Sequence, residues 1–304
     1  MPPAAPVQAA SAAPRPVYRP LTAAAWMLGS IASFSSMAIA GRAVAPVLDT
    51  FELMTWRSII GFFLVIGIGG VMGQLSQIRG NRLGTHLVRN VFHFAGQNLW
   101  FWALAMIPLA QVFALEFTSP LWVILLSPLF LAERITGVRL LSAGLGFLGI
   151  LIVARPDLTR IDPGVLAAAA SAIGFAGSAI FTKRLTRYEG VISILFWLTV
   201  MQAVFGASLS AIDGDVTLPD AQTFPWLLLI GGAGVLAHLC LTKALTLAPA
   251  TVVIPIDFAR LPVIALVGMA LYGEPLDGWV FLGAAIIFAA NWMNIRAESR
   301  RARA

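Results

Sequence analysis

Apolar residues in this chain do not alternate with polar ones; they run together in long blocks. Ten blocks, at about residues 21–41, 51–72, 87–107, 110–131, 138–154, 163–183, 190–211, 224–245, 250–272 and 278–295, come near the roughly 20 apolar residues that a helix needs to cross a bilayer. The breaks between them gather Gly, Pro, Asp and Arg, as in "AIDGDVTLPD". The pattern predicts an all-α membrane protein with ten transmembrane helices.

Composition agrees. Only 11% of residues are charged and 59% are hydrophobic, with mean hydropathy +0.87, whereas soluble domains carry about 25% charged residues. The single cysteine, Cys240, excludes an internal disulfide and a cysteine-based metal cluster; in its apolar run it reads as a packing residue. The Pro- and Ala-rich residues 1–20 lack a continuous apolar core, so they read as a disordered cytoplasmic tail rather than a signal peptide. With the N-terminus inside, 15 of the 20 basic residues fall on the inner side, among them Arg79, Arg89, Lys183 and the basic tail 296–304. Only Arg42, Arg155 and Arg160 fall outside. The net charge of +6 is thus a topology signal that places both termini in the cytoplasm, and no nucleic-acid partner is expected.

The blocks repeat. A shift of 141 residues carries Glu133 onto Glu274, Glu116 onto Asp257, Phe117 onto Phe258, Trp56 onto Trp197 and Pro108 onto Pro249. "ALAMIPLAQV" (103–112) then lies over "ALTLAPATVV" (244–253). This predicts a first five-helix repeat over 21–154 and a second over 163–295. Because five is odd, the second copy enters from the opposite side. Inverted repeats of this kind build many secondary transporters, whose substrate sites lie between the halves.

Arg57 in "MTWRSIIGFF", the run "FTSPLWVILLSPLFLAERITGVRLLSAGLGFLGILIV" and the second-copy ending "GEPLDGWVFLGAAIIF" resemble the EamA branch of the drug/metabolite transporter superfamily. The resemblance covers about residues 21–296. It implies a ten-helix carrier of the bacterial inner membrane, usually an exporter of amino acids or related metabolites, with the aromatic amino acid exporters as the nearest branch. "LAERI" stands where the family often has Gly-Glu-Arg, and Leu198 stands opposite Arg57, so that arginine is not duplicated.

Polar residues inside the blocks are the candidate site, since charges at membrane depth are costly and face the protein interior. Glu133 and Glu274 sit at span ends and read as anchors of the following turns. Glu116 and Asp257 lie deeper. Arg260, three residues from Asp257, is within helical pairing distance; Glu116 has Arg57 and Arg42 as candidate partners. Asn90, His93, Gln97 and Trp100 recur on one helical face, opposite Gly231, Gly234 and His238 in the second copy. The expectation is one central cavity lined by His93, Gln97, Trp100, Glu116, His238, Asp257 and Arg260, with Phe34 and Phe175 at its wall. Prolines 120, 128, 255 and 262 bend spans four and nine. The small residues of "SAGLG" (142–146) and "AAIIFAA" (284–290) make either a dimer seam or a contact within a monomer.

No Asp-Asp cluster, metal-binding His pair or Walker A motif occurs, which argues against an intramembrane phosphotransferase and against direct use of ATP. No enzyme activity, cofactor or metal is expected. The leading expectation is an exporter of amino acids, aromatic ones included, working by alternating access as a monomer or homodimer. The alternative is an uptake carrier for a cofactor, nucleotide derivative or riboflavin-like solute.

Overall fold

The computed structural model describes residues 19–131, 136–155, 162–212, 216–248, 253 and 256–301. Among them are eleven α-helices and no strand. We number the helices α1 Pro20–Val44, α2 Thr50–Val71, α3 Leu83–Met106, α4 Leu109–Glu116, α5 Ser119–Leu131, α6 Gly137–Ala154, α7 Pro163–Leu185, α8 Val191–Ser210, α9 Phe224–Leu247, α10 Arg260–Tyr272 and α11 Gly278–Arg301. The tail 1–18, Glu133, Pro249 and Pro255 lie outside the described residues.

Among the described residues, eight segments are long and apolar enough to span a bilayer, with α4 and α5 counted together as Leu109–Phe130. The other two of the ten expected are the third and the ninth. The third expected span coincides with α3, which is long enough but carries a buried polar face of His86, Arg89, Asn90, His93, Gln97 and Asn98. The ninth falls partly outside the described residues, which hold α10 with 13 residues after the break and helical residues 253 and 256–257 before it. Spans four and nine are also broken. The helix stops in a turn at Phe117–Thr118 and again at Phe258–Ala259, positions 141 residues apart. Such a break at membrane depth must be buried or line a cavity. At the first, Asn291 Nδ2 donates to the freed Phe117 carbonyl at 3.0 Å.

Local chemistry sets the helix starts. Asp49 caps α2 by accepting from the Phe51 and Glu52 amides at 2.7 and 2.8 Å, while the Glu52 carboxylate accepts from the Asp49 amide at 3.0 Å. The N-cap of α8, 141 residues on, is Gly190. Starts at Leu83 and Phe224, Ser119 and Arg260, and Gly137 and Gly278 share the same spacing.

The principal packing partners all cross between the halves: α1 on α9, α3 on α7, α2 on α8, and α6 on α11. Exchanging the halves returns the same set of pairs. Glycines allow the closest approaches. A Cβ on Gly174 would sit 2.6 Å from the Gly96 Cα, and one on Gly283 would sit 2.8 Å from the Gly149 carbonyl oxygen. The small residues of α6 and α11 are therefore engaged, in part, within one chain. One continuous core holds Phe101, Leu104, Leu109, Phe113 and Leu115 beside Ile264 and Ile287.

Candidate functional site

Two polar clusters lie inside the helical body, joined by one phenylalanine. The first is built at the two helix breaks. Glu116 ends α4, Arg260 begins α10, and Asp257 lies just before the second break. Arg260 Nη2 donates to Glu116 Oε1 and to Asp257 Oδ2, both at 3.2 Å. Trp100 Nε1 of α3 donates to the other Glu116 oxygen at 2.8 Å. The guanidinium lies over three rings, 4.7 Å from the centroid of Phe34 and 5.0 Å from those of Phe113 and Phe117. A planar, weakly hydrated cation suits such a box better than an ammonium. Phe117 and Phe258, the repeat-matched residues of the two breaks, stack with centroids 4.4 Å apart.

The second cluster is a cavity between α2, α3, α8 and α9, walled by Arg57, Ser58, His93, Thr199, Gln202 and His238 with Gly231 and Gly234. Arg57 Nη1 donates to Gln97 Oε1. Gly234 gives that guanidinium its room, because a Cβ there would come within 3.0 Å of Arg57 Nη2. His93 Nδ1 lies 3.3 Å from the Ser178 hydroxyl, with its ring 6.1 Å from Phe175. The His238 ring meets the edge of Phe34 at 5.7 Å. Phe34 thus touches Arg260 in one cluster and His238 in the other.

Beside the cavity, Arg89 Nε donates to Thr182 and Nη1 to Asn90 Oδ1, both at 2.9 Å. Asn90 Nδ2 donates to the Trp197 carbonyl at 3.1 Å, and the Asn90 carbonyl accepts from Gln202 Nε2 at 2.9 Å. At the far end of α1, Arg42 pairs with Glu274 and donates to the Leu104 and Ile107 carbonyls. The second Glu274 oxygen accepts from the Leu109 amide at 3.0 Å.

The expected residues therefore divide. Phe34, Trp100, Glu116, Asp257 and Arg260 come together in the aromatic box, and His93, Gln97 and His238 gather around Arg57, with Phe175 behind His93. Trp100 is almost fully buried, edge-on to Phe101 and Phe113. The partner expected for Glu116 was Arg57 or Arg42; the structure gives Arg260, because Arg57 and Arg42 are engaged by Gln97 and Glu274. Arg89, placed by the sequence reading among the inner basic residues, is buried within the body. Sequence reasoning missed Thr199 and Gln202, although their spacing of three on an otherwise apolar run was the available signal.

A family model described as "EamA-like transporter family" matches the chain twice, over residues 21–155 and 162–296. Among curated relatives, a riboflavin transporter of Brucella anthropi is 32% identical over 252 residues, spanning 82% of this chain and 88% of its own. A riboflavin transporter of Vibrio cholerae is 29% identical, covering 93% of this chain and 98% of its own. An S-adenosylmethionine uptake transporter of Rickettsia felis is 26% identical, with 92% and 94% covered. A solved crystal structure superposes with TM-score 0.63 at 20% identity, over 90% of this chain and 97% of that one; it speaks to the fold alone.

Proposed function

Since this chain belongs to the EamA-like transporter family, we propose that this multi-pass membrane protein imports a flat heteroaromatic cofactor, riboflavin foremost, by alternating access of two inverted halves in the bacterial inner membrane. The observation that carries this reading is the likeness, over most of both chains, to proteins named riboflavin transporters. The amino-acid export expected from the sequence finds no counterpart among these relatives, so the uptake alternative is preferred. In this reading α3 and α10 cross the membrane as well, giving ten crossings, and both termini are cytoplasmic.

The cavity chemistry supports a neutral, hydrogen-bonding ring system. Arg57, held by Gln97, and Thr199 and Gln202 offer donors and acceptors at fixed positions, while His93 and His238 can each donate or accept. Glycines 231 and 234 let Ile60 and Arg57 of α2 close on α9 at the cavity wall. A substrate oxygen that accepts from a further N–H of the Arg57 guanidinium gains about 1.5–3 kcal/mol. On the outer side the Arg42–Glu274 lock ties α1 to the turn before α11 and must open for substrate to enter.

The test is growth of a riboflavin-auxotrophic bacterium that lacks its own uptake system. Expression of this chain is expected to permit growth on low external riboflavin, and vesicles holding the purified protein should show riboflavin counterflow. Membrane-inserted protein that gives neither result overturns the reading. Labelled S-adenosylmethionine and aromatic amino acids in the same vesicles test the competing substrates.

A further inference from the structure

We propose that an anionic phospholipid of the inner leaflet binds between the α2–α3 loop and the turn joining α7 to α8, its phosphate held by Arg79, Asn81 and Arg82. An open cavity of about 430 Å³ lies there, lined by these three residues with Tyr188 and Glu189. It shares no residue with the two polar clusters of the interior. The excess of basic residues puts this end of the molecule on the cytoplasmic side.

Hydrogen bonds between the two halves fix its walls. The Arg79 amide donates to the Ser193 hydroxyl at 3.2 Å, and the Arg79 carbonyl accepts from Trp197 Nε1 at 2.7 Å. The Arg82 guanidinium lies over the Tyr188 ring, 3.6 Å from its centroid. Stacking occupies the face of a guanidinium and leaves the N–H donors of its edge for an oxyanion. Among the described residues, no acid pairs with Arg79 or Arg82. Glu189, the one acid of the lining, is turned inward. Its side chain is 3% exposed, and its Oε2 lies 2.9 Å from His86 Nε2 and accepts from the Ser193 hydroxyl at 2.7 Å. Two guanidinium groups outnumber this one carboxylate, so the cavity favours an anion.

Helix α3 starts at the same place. Arg82 is its N-cap and no side chain caps the helix, so the first-turn amides add partial positive charge for a phosphate. The surface beside the cavity selects a lipid over a soluble anion. Leu83, Leu87 and Val91 follow Arg82 at four-residue spacing along α3, and all three are exposed. Val191, which opens α8, is exposed as well. An acyl chain can lie along this stripe while its phosphate stays at the start of α3. Basic pockets at the cytoplasmic ends of membrane helices hold acidic headgroups in this way. Because the walls come from both halves, the bound lipid fastens the α2–α3 loop to the start of α8.

The experiment needs no transported substrate, so it fails or succeeds independently of the riboflavin reading. The purified full chain in detergent is titrated with phosphatidylglycerol, phosphatidylcholine or glycerol phosphate, with binding followed by native mass spectrometry and by thermal melts. Phosphatidylglycerol is expected to bind and to raise the melting temperature, and the other two to do neither. Arg79→Gln and Arg82→Gln should each weaken phosphatidylglycerol binding about fivefold, the worth of one arginine at an anionic lipid surface. Arg300→Gln, in the basic tail, should leave it unchanged. Both lining arginines are exposed, and melts without lipid check that each variant folds; two variants guard against one failing. An equal response to phosphatidylcholine, an unchanged affinity in both lining variants, or an equal loss in Arg300→Gln overturns the proposal. Glycerol phosphate that binds as tightly as the lipid makes this a soluble-phosphate site, which also overturns it.

Discussion

Gln97 is a neutral acceptor for a buried cation, and that choice matters for a carrier. A glutamate there would hold Arg57 as an ion pair; the amide holds it loosely enough for a substrate carbonyl to compete. Gln97→Glu is therefore expected to raise the melting temperature of the purified protein while lowering transport at least tenfold, and Gln97→Leu to lower both. Transport assays beside thermal melts check this; normal transport by Gln97→Glu would make Arg57 a structural post. The contrast with Arg260 is instructive. Arg57 has one side-chain oxygen on its guanidinium, whereas Arg260 serves two acids and three rings. The three-residue spacing made the Asp257–Arg260 pair legible in the sequence. Glu116 as the third member was not, because it reaches Arg260 from a position 144 residues away.

Among elements, α3 carries the most. Its polar face disqualifies it as a simple apolar span, yet that face supplies His93, Gln97, Trp100 and the Arg89–Asn90 strut. It can be polar because α7 covers it closely, at the Gly96–Gly174 crossing. Interfaces between membrane helices use small residues in this way because backbone approach, rather than oil–water segregation, holds them together. Gly174→Val would push methyl groups onto the backbone of α3, where a neighbour cannot rotate aside. The expected cost is at or above the upper end of the ~1–3 kcal/mol typical of overpacking, read as a loss of folded protein in detergent, whereas Gly144→Val, whose Cβ would meet nothing within 4 Å, should be tolerated. The breaks at Phe117 and Phe258 belong to the same scale. Pro120 and Pro262 mark their neighbourhood in the sequence, but only the packed structure puts the two phenylalanines face to face.

For the whole molecule, the inner excess of basic residues sets an orientation that can be tested directly. Single cysteines introduced at residues near 79, 186 and 299 should resist an impermeant thiol reagent in intact cells, and those at 158 and 217 should react. Cys240→Ala provides the background, since the native thiol is buried against Gly29. Labelling at 186 would invert the model and place the Arg42–Glu274 lock on the cytoplasmic side. The pairing of α1 with α9 and α3 with α7 makes neither half a self-contained body. Each half buries its faces on the other, which is the arrangement needed if the two are to rock against one another around the stacked phenylalanines.

Sequence by itself determined the class of the molecule, since apolar run length and the scarcity of charge are properties of the chain alone. It also determined the 141-residue register, because Glu116 and Asp257, Phe117 and Phe258, and the glycines that open α6 and α11 keep their spacing whatever the packing. Which charge meets which was decided by tertiary structure. Arg57 and Arg42 were the partners for Glu116 that one dimension offered, and the fold instead brought Arg260 within 3.2 Å of it. The cavity wall from α8 was decided there too. A buried polar side chain is stable only beside a partner, and the partners of Gln202 and His93 lie on other helices, beyond the reach of any local pattern.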